Sequence, residues 1–327
     1  MPPAALPPTP PKQRRTRRKS SRTLMKVLLF IIIVIVIAAI AYAGYLYYKI
    51  DSALDQAGTA DTTPATKPVN ANPVTLLLLG IDTRPKSASL NTDVIMIASL
   101  NPQRKTATVV SVPRDTLVKA SGYSQSKANS YYAAFLHNDK RTADVKTKAL
   151  FGKYLNVPID YVARIDFKGF EEIVDELGGL TLNVDMNMCY TDKQDGTSIK
   201  LAKGTHDLNG SQTLDFVRYR KGNCQNAADS NDIERNERQQ QVIGEMIGKL
   251  KSFDGLLKLG SVIEAAGKNV ETDIPSSQIK SFIRTYMGID RDKINYVHLV
   301  GEWHSPYINI RADELKKAQT ALQEQLK

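Results

Sequence analysis

From Val27 to Tyr48 the chain carries no charged residue, and Leu28 to Ala41 is an unbroken run of Leu, Phe, Ile, Val and Ala. A helix needs about 20 apolar residues to cross a bilayer, and this run is long enough. Lys12, Arg14, Arg15, Arg17, Arg18, Lys19, Arg22 and Lys26 precede it, and residues 1–50 contain no Asp or Glu. Positive charge keeps its side of a span in the cytoplasm, so the remainder of the chain is expected outside. Tyr42, Tyr45, Tyr47 and Tyr48 crowd the far end, where an aromatic belt belongs. Ala41-Tyr42-Ala43 resembles a signal-peptide cleavage site, but Gly44 to Tyr48 carries the apolar run beyond it, which favours an uncleaved anchor. The expected organisation is a basic cytoplasmic tail (1–26), a transmembrane helix (27–48), a linker rich in Asp, Ser, Ala, Gly, Thr and Pro (49–72) and one extracellular domain (73–327).

Charge partition excludes a class of partner. The formal net charge is +10, yet beyond residue 50 the other 35 Lys and Arg meet all 34 Asp and Glu. The excess describes a tail, whereas nucleic-acid binding calls for a basic stripe on a folded domain. No nucleic-acid partner is expected. The two cysteines, Cys189 and Cys224, fall in polar, turn-rich stretches of the part expected outside. An oxidising compartment permits a disulfide there, and the alternative is two separate buried thiols.

Val74 to Leu79 reads as a buried strand ending at Gly80, Asp93 to Leu100 as a second, and Thr106 to Val112 as a third beyond the Asn101–Lys105 turn. Short connections make these neighbours antiparallel. Helices are expected near 127–137 and 142–155, a strand near 158–166, a helix over Lys168–Leu177, and strands over Leu180–Val184 and Leu214–Arg220. A long amphipathic helix over Asn231–Phe253, a helix after Ser276, a strand near 294–300 and a helix from about Ala312 complete the pattern. The fold class is α/β (α+β), a mixed central sheet flanked by helices.

The three-strand meander brings Asp82, Asp93 and Pro113-Arg114-Asp115 to one end of the sheet, with Arg84 in the intervening loop. If 214–220 is a strand, its period of two sets Arg218 and Arg220 on one face, away from Tyr219. On the long helix Arg235, Arg238 and Gln239 are related by three and four residues and share a face. Guanidinium forks match phosphate oxygens. Paired carboxylates hold Mg²⁺, or Mn²⁺ in its place, beside substrate phosphates. Taken singly, each residue has a bland reading: Asp82 or Asp93 a turn or strand-end residue, Arg218 and Arg220 a solvated face, Arg235 and Arg238 surface partners of Glu234 and Glu237. Hydrolase elbows, zincin motifs and phosphate-binding loops of the Gly-x-x-x-x-Gly-Lys type are missing.

At this point the residues resemble the LytR-CpsA-Psr family. The resemblance covers about residues 74–250 and the anchor. It is carried by Leu79-Gly80-Ile81-Asp82-Thr83-Arg84, Thr92-Asp93-Val94-Ile95-Met96, Ser111-Val112-Pro113-Arg114-Asp115-Thr116 and Lys127-Ala128-Asn129. Ile165 to Phe170, Leu208-Asn209-Gly210 with Gln212, Val217 to Arg220, and Asp232 to Arg235 with Arg238-Gln239-Gln240 continue it in order. It implies a phosphotransferase that moves a glycopolymer (a teichoic acid, capsule or related polysaccharide) from a polyprenyl-pyrophosphate carrier to peptidoglycan. It also implies Mg²⁺ at Asp82 and Asp93, pyrophosphate contacts from Arg84, Arg114, Arg218, Arg220, Arg235, Arg238 and Gln239, and an apolar tunnel for the lipid under the sheet. Asp93, Arg114 and Asp115 are the candidates for the chemistry itself. One position departs from the family pattern: Asn91 stands where Arg is usual, two residues before Asp93. A lipid pyrophosphatase, with water as nucleophile, is the rival enzyme. A membrane-bound transcription attenuator is the rival outside enzymology, supported by the basic tail alone.

Overall fold

The structure is a computed structural model that describes residues 69–83, 90–193, 196–286 and 288–327, together with Ile37, Gly44, Tyr45 and Tyr48. Two compact units divide the chain, residues 1–48 and 49–327. Among the described residues no helix is long and apolar enough to cross a membrane. The basic tail, the linker up to residue 68, Arg84 and all of the apolar run except those four positions lie outside the described residues.

In chain order the second unit opens with strands β1 (Val74–Asp82), β2 (Asn91–Asn101), β3 (Thr106–Ser111), β4 (Leu117–Val118) and β5 (Ser126–Lys127). Helices α1 (Tyr131–Asn138) and α2 (Ala143–Leu155), strand β6 (Tyr161–Asp166) and helix α3 (Phe167–Glu176) follow. Next come β7 (Leu180–Val184), β8 (Met188–Thr191), β9 (Ser198–Leu201), β10 (Gly204–Leu208), α4 (Gly210–Arg218), α5 (Asp232–Lys251) and α6 (Phe253–Asn269). The chain ends through β11 (Val270–Thr272), α7 (Ser276–Tyr286), β12 (Ile294–His298), the hairpin β13 (Gly301–His304) and β14 (Tyr307–Ile310), and α8 (Ala312–Gln325).

Six strands form the central sheet in the order β11-β6-β1-β2-β3-β12. The β1-β2-β3 meander is antiparallel, as its short connections dictate, while β6 pairs with β1 and β12 with β3 in parallel. The sheet is therefore mixed. Alternation along β1 sorts its side chains between two layers. Leu77, Leu79 and Ile81 pack with Ile95, Ile97 and Val110 against Tyr131 and Tyr132 of α1, Leu150 and Phe151 of α2, and Leu322 of α8. Leu76 and Leu78 point to the opposite layer, which contains Ile263 of α6 and Ile279 of α7. Leu77 is fully buried. Truncating such a residue to Ala costs about 2–5 kcal/mol.

The expected strand over Leu214–Arg220 is a helix. Asn209 and Gln212 form a capping box: the Asn209 carboxamide accepts from the Gln212 N–H at 2.9 Å, and the Gln212 carboxamide accepts from the Asn209 N–H at 3.1 Å. Gly210, Thr213, Leu214 and Val217 are buried at helical spacing. Residues 254–269, unassigned from the sequence, form most of α6. Ser252 ends α5 and starts α6, its hydroxyl accepting from the Gly255 N–H at 3.1 Å.

Candidate functional site

The β1-β2 ladder breaks its register at one place. Gly80 pairs with Val94, but Ile81 pairs with Thr92, so Asp93 is the extra residue of a β-bulge. A bulge re-aims a side chain, and here it brings the Asp93 carboxylate to the cavity side of the sheet. Glycine is required opposite: a Cβ at position 80 would stand 2.9 Å from the Val94 Cβ. Asp82, 5% exposed, ends β1 opposite Asn91, the position at which the family pattern has Arg.

β3 returns to the same end and delivers Arg114 and Asp115. Arg114 Nη1 donates to Asp93 Oδ1 at 2.7 Å. Asp115 is buried among three cations: Lys127 Nζ at 2.8 Å, Arg114 Nε at 3.8 Å and Arg220 Nη1 at 4.0 Å. Asp93, Arg114 and Asp115 thus meet as the meander topology requires. Lys127, matched in the sequence but given no role there, is the cation closest to Asp115.

Two helices bring the other arginines. Arg218 closes α4 with its guanidinium 4.4 Å from the centroid of the Phe167 ring. Arg220 follows two residues later, in the loop behind the Tyr219 C-cap. The two share the cavity, but through a helix end and its exit rather than the face of a strand. On α5, Arg235 and Gln239 line the same cavity. Arg238 does not. Residues advance by about 100° per position on a helix, so residues 238 and 239 flank residue 235 on opposite sides. Arg238 is 2% exposed, and its fork is taken by Asp185 through Nε to Oδ1 and Nη2 to Oδ2, both at 2.7 Å. Its Nη1 donates to the Tyr219 carbonyl at 3.2 Å. Burial alone would raise the Asp185 carboxyl, but the Arg238 fork outweighs it and holds the group below its ordinary range. The expected pyrophosphate contact from Arg238 is therefore replaced by an internal brace that fixes the chain just before Arg220.

That segment is tied down again by the disulfide joining Cys189 of β8 to Cys224. The Asn223 N–H donates to the Cys189 carbonyl at 3.1 Å, and the Tyr219 hydroxyl donates to the Ala228 carbonyl at 2.6 Å.

Of these groups Asp93, Arg114, Arg218, Arg220, Arg235 and Gln239 line a cavity of about 490 Å³ between the sheet and α3–α5. Leu78, Met96 and Ile165 form its sheet wall, and Phe170, Leu214 and Val217 its wall from α3 and α4. The helix α5 grades from polar to apolar along a single face: Arg235, Gln239, Val242, Ile243 and Met246 all line the cavity. Leu78 is the one residue of β1 that is not buried, since it faces this space. Next to Arg218, burial pushes the Asp215 carboxyl up to about 6, with Arg218 opposing and Glu171 adding to the shift.

Asp82 and Asp93 supply oxygen donors at neighbouring strand ends, a donor type that suits a hard divalent cation. Among the described residues no group of three or more His, Cys, Asp or Glu could hold a metal. Two carboxylates fit Mg²⁺, which keeps most of its waters when bound beside phosphates.

A mixed sheet over an apolar cavity with a guanidinium-lined mouth defines a class of domain, one built to hold an amphiphile by its tail and its anionic head. The chain belongs to the LytR_cpsA_psr family, whose model matches residues 42–324. It is 28% identical over 304 residues, 88% of this chain and 75% of the relative, to the polyisoprenyl-teichoic acid–peptidoglycan teichoic acid transferase TagV of Bacillus subtilis. It is 32% identical over 253 residues, 75% of this chain and 77% of the relative, to the transferase TagU of Bacillus cereus. The fold resembles the crystal structure of B. subtilis TagV, with a TM-score of 0.63 and 28% identity over 78% of this chain and 97% of that one. It also resembles TagT bound to LIIa-WTA, with a TM-score of 0.60 and 25% identity over 81% of this chain and 94% of that one.

Proposed function

We propose that this chain is a phosphotransferase that moves a glycopolymer from a polyprenyl-pyrophosphate carrier to peptidoglycan, acting outside the membrane that its N-terminal segment spans. The observation that carries this reading is the graded cavity, apolar along Val242, Ile243 and Met246 and cationic at Arg218, Arg220 and Arg235. An isoprenoid chain occupies the apolar part, and its burial supplies binding energy in proportion to the area removed from water. Arg114, Arg218, Arg220 and Arg235 hold the pyrophosphate oxygens, with Gln239 donating beside them; Arg84 is a further candidate from the family pattern. Asp115 holds Arg114, Arg220 and Lys127 in place, so its part is positioning.

A hydroxyl of the wall glycan attacks the phosphorus that bears the sugar. The new P–O bond forms as the bond to the bridging oxygen breaks, and polyprenyl phosphate leaves. Asp93, aimed at the cavity by the bulge, is the candidate acceptor for the hydroxyl proton. Mg²⁺, or Mn²⁺, bound at Asp82 and Asp93 would neutralise charge on the phosphates. The arginine clamp supplies stabilisation of the same kind from fixed groups that need no reorganisation.

The test uses the full chain in detergent, a synthetic saccharide-bearing polyprenyl pyrophosphate and peptidoglycan. A new phosphodiester between glycan and wall supports transfer. Release of free glycan phosphate without linkage would convert the reading to a lipid pyrophosphatase. Asp82→Asn and Asp93→Asn should each lower turnover by about 10²–10³-fold with the fold intact. Normal turnover by both variants would misplace the site.

A further inference from the structure

The hairpin β13–β14 stands beside the mouth of the cavity and is joined to it. The Ile308 N–H donates to the Asp115 carbonyl at 2.9 Å, and Thr116 and Ile308 form a parallel bridge. Trp303 is the chain's one tryptophan, and it is 54% exposed. It lies opposite Ile308 in the hairpin, so the two side chains share a face. Ile308 is buried, whereas the indole is left half in solvent. Beside it is a separate depression of about 200 Å³, lined by Arg220, Ser230, Asn231, Gly301, Trp303 and Ile308. Arg220 lines this depression and the main cavity alike, so the two adjoin at the phosphate clamp.

We propose that this depression is a sugar subsite, in which Trp303 stacks on the apolar face of a neutral hexopyranose ring adjoining the reacting phosphate. An exposed indole offers a rigid, flat apolar surface at little entropic cost, and a pyranose presents a matching face of C–H groups. Arg220 stands at the edge of that surface as a hydrogen-bond donor for ring hydroxyls, and Ser230 Oγ, which donates its own proton to the Asn231 carbonyl at 3.3 Å, offers them an acceptor. A second anion is the wrong occupant. The N-terminus of α5 is closed by a capping box, with the Glu234 N–H donating to Asn231 Oδ1 at 2.9 Å and the Asn231 N–H to Glu234 Oε2 at 2.8 Å. The Glu234 carboxylate further opposes negative charge at that place. The pinned hairpin fixes the platform relative to Asp115, and so relative to the clamp.

The assignment rests on the phosphotransfer reading, and the experiment separates the two. Trp303 as sole tryptophan reports on its own site by fluorescence. The full chain in detergent is titrated with three probes: a sugar-free polyprenyl pyrophosphate, the disaccharide-bearing lipid, and the disaccharide released from wall glycan by lysozyme. Emission should shift with one or both saccharide probes. By calorimetry, Trp303→Ala should raise the Kd of the responding saccharide about five- to tenfold, Trp303→Phe should recover most of the loss, and sugar-free lipid should bind both variants as it binds the wild type. A response to the released disaccharide assigns the ring to the acceptor, and a response confined to the saccharide-bearing lipid assigns it to the donor; either supports the subsite. Unchanged saccharide affinity in Trp303→Ala overturns it. Failure of the wild type to bind the sugar-free lipid removes the phosphotransfer reading, while a Trp303-dependent saccharide response would still stand.

Discussion

At Arg218 a planar guanidinium lies against the Phe167 ring, 4.4 Å from its centroid, at the rim of an apolar cavity. Contact with the ring face favours a guanidinium held at this rim before any phosphate arrives. An ammonium keeps the charge and loses the planarity, so Arg218→Lys should lower kcat/KM for transfer by about 10²-fold with the thermal midpoint unchanged. A change within twofold would show that position 218 acts as a point charge. The neighbouring Asp215 makes a pH-dependent prediction. Its carboxyl titrates at about 6 when folded, chiefly from burial, against about 3.9 for an unperturbed Asp. The folded protein therefore binds this proton more tightly, and the stability it contributes is present below the ordinary value and lost as pH rises through about 6. Asparagine mimics the protonated form. Asp215→Asn should match the wild type in urea midpoint near pH 4 and exceed it increasingly toward pH 7; a constant difference across that range would refute the linkage. Arg238 illustrates why residue roles are harder to read than residue positions. Its spacing from Arg235 places it on an adjoining part of the helix surface, but nothing in the local sequence names Asp185, 53 residues away, as its partner.

Among the elements, the sheet meander was legible because each strand is a short apolar run bounded by turn residues. Its topology then forces Asp93, Arg114 and Asp115 to one end. The bulge at Asp93 was not legible, since only the paired register of β1 and β2 exposes the extra residue. The helix α4 carried a readable signal that the apolar content of Leu214–Val217 masked: Asn209, with Gln212 three residues on, is a capping-box pattern. The division of Asn231–Phe253 from α6 was signalled only by Ser252, a single capping residue. The stripe on α5 was partly visible, since Asn231–Phe253 reads as an amphipathic helix, but a face lining a cavity has the same periodicity as one in ordinary core. That ambiguity can be tested. Ile243→Trp adds volume where the structure has space, so it should be tolerated in stability. It should also shorten the room for a lipid tail. Transfer from a long polyprenyl donor should fall by about tenfold or more while a donor with a short tail is spared. Equal loss for both would mean that the tail lies elsewhere. A large drop in urea midpoint would mean ordinary core, where overpacking costs about 1–3 kcal/mol.

At the scale of the whole molecule, the proposed placement of the chain outside the membrane rests on charge and redox chemistry. Nine positive residues precede residue 50 without a single acid, and the rest is nearly neutral. The excess positive charge therefore lies beside the apolar run, where positive charge orients a membrane span. The Cys189–Cys224 disulfide is of the kind that persists in an oxidising compartment, in keeping with the proposed placement. It closes a separation of 35 residues, which in the chain-entropy model stabilises by about 3–4 kcal/mol. Reduction should therefore lower the thermal midpoint and loosen the segment that carries Arg220. Hydrogen exchange of residues 219–230 should report that loosening, and unchanged protection after reduction would contradict the bracing role. The placement itself has a decisive test with two independent readouts. In intact protoplasts, added protease should digest the chain beyond residue 50 and leave the first residues protected. Replacing Arg14, Arg15, Arg17, Arg18 and Lys19 together by Asn removes most of the orienting charge, so a fraction of the chains should invert. Inverted chains should resist the protease, and in the reducing cytoplasm their two cysteines should stay free thiols that an alkylating reagent labels after lysis. Wild-type chains should show the opposite on both counts. A wild-type domain that is protected from protease and carries free thiols would place the site on the side of the membrane where wall glycan is absent, and the transfer reading would fall with it.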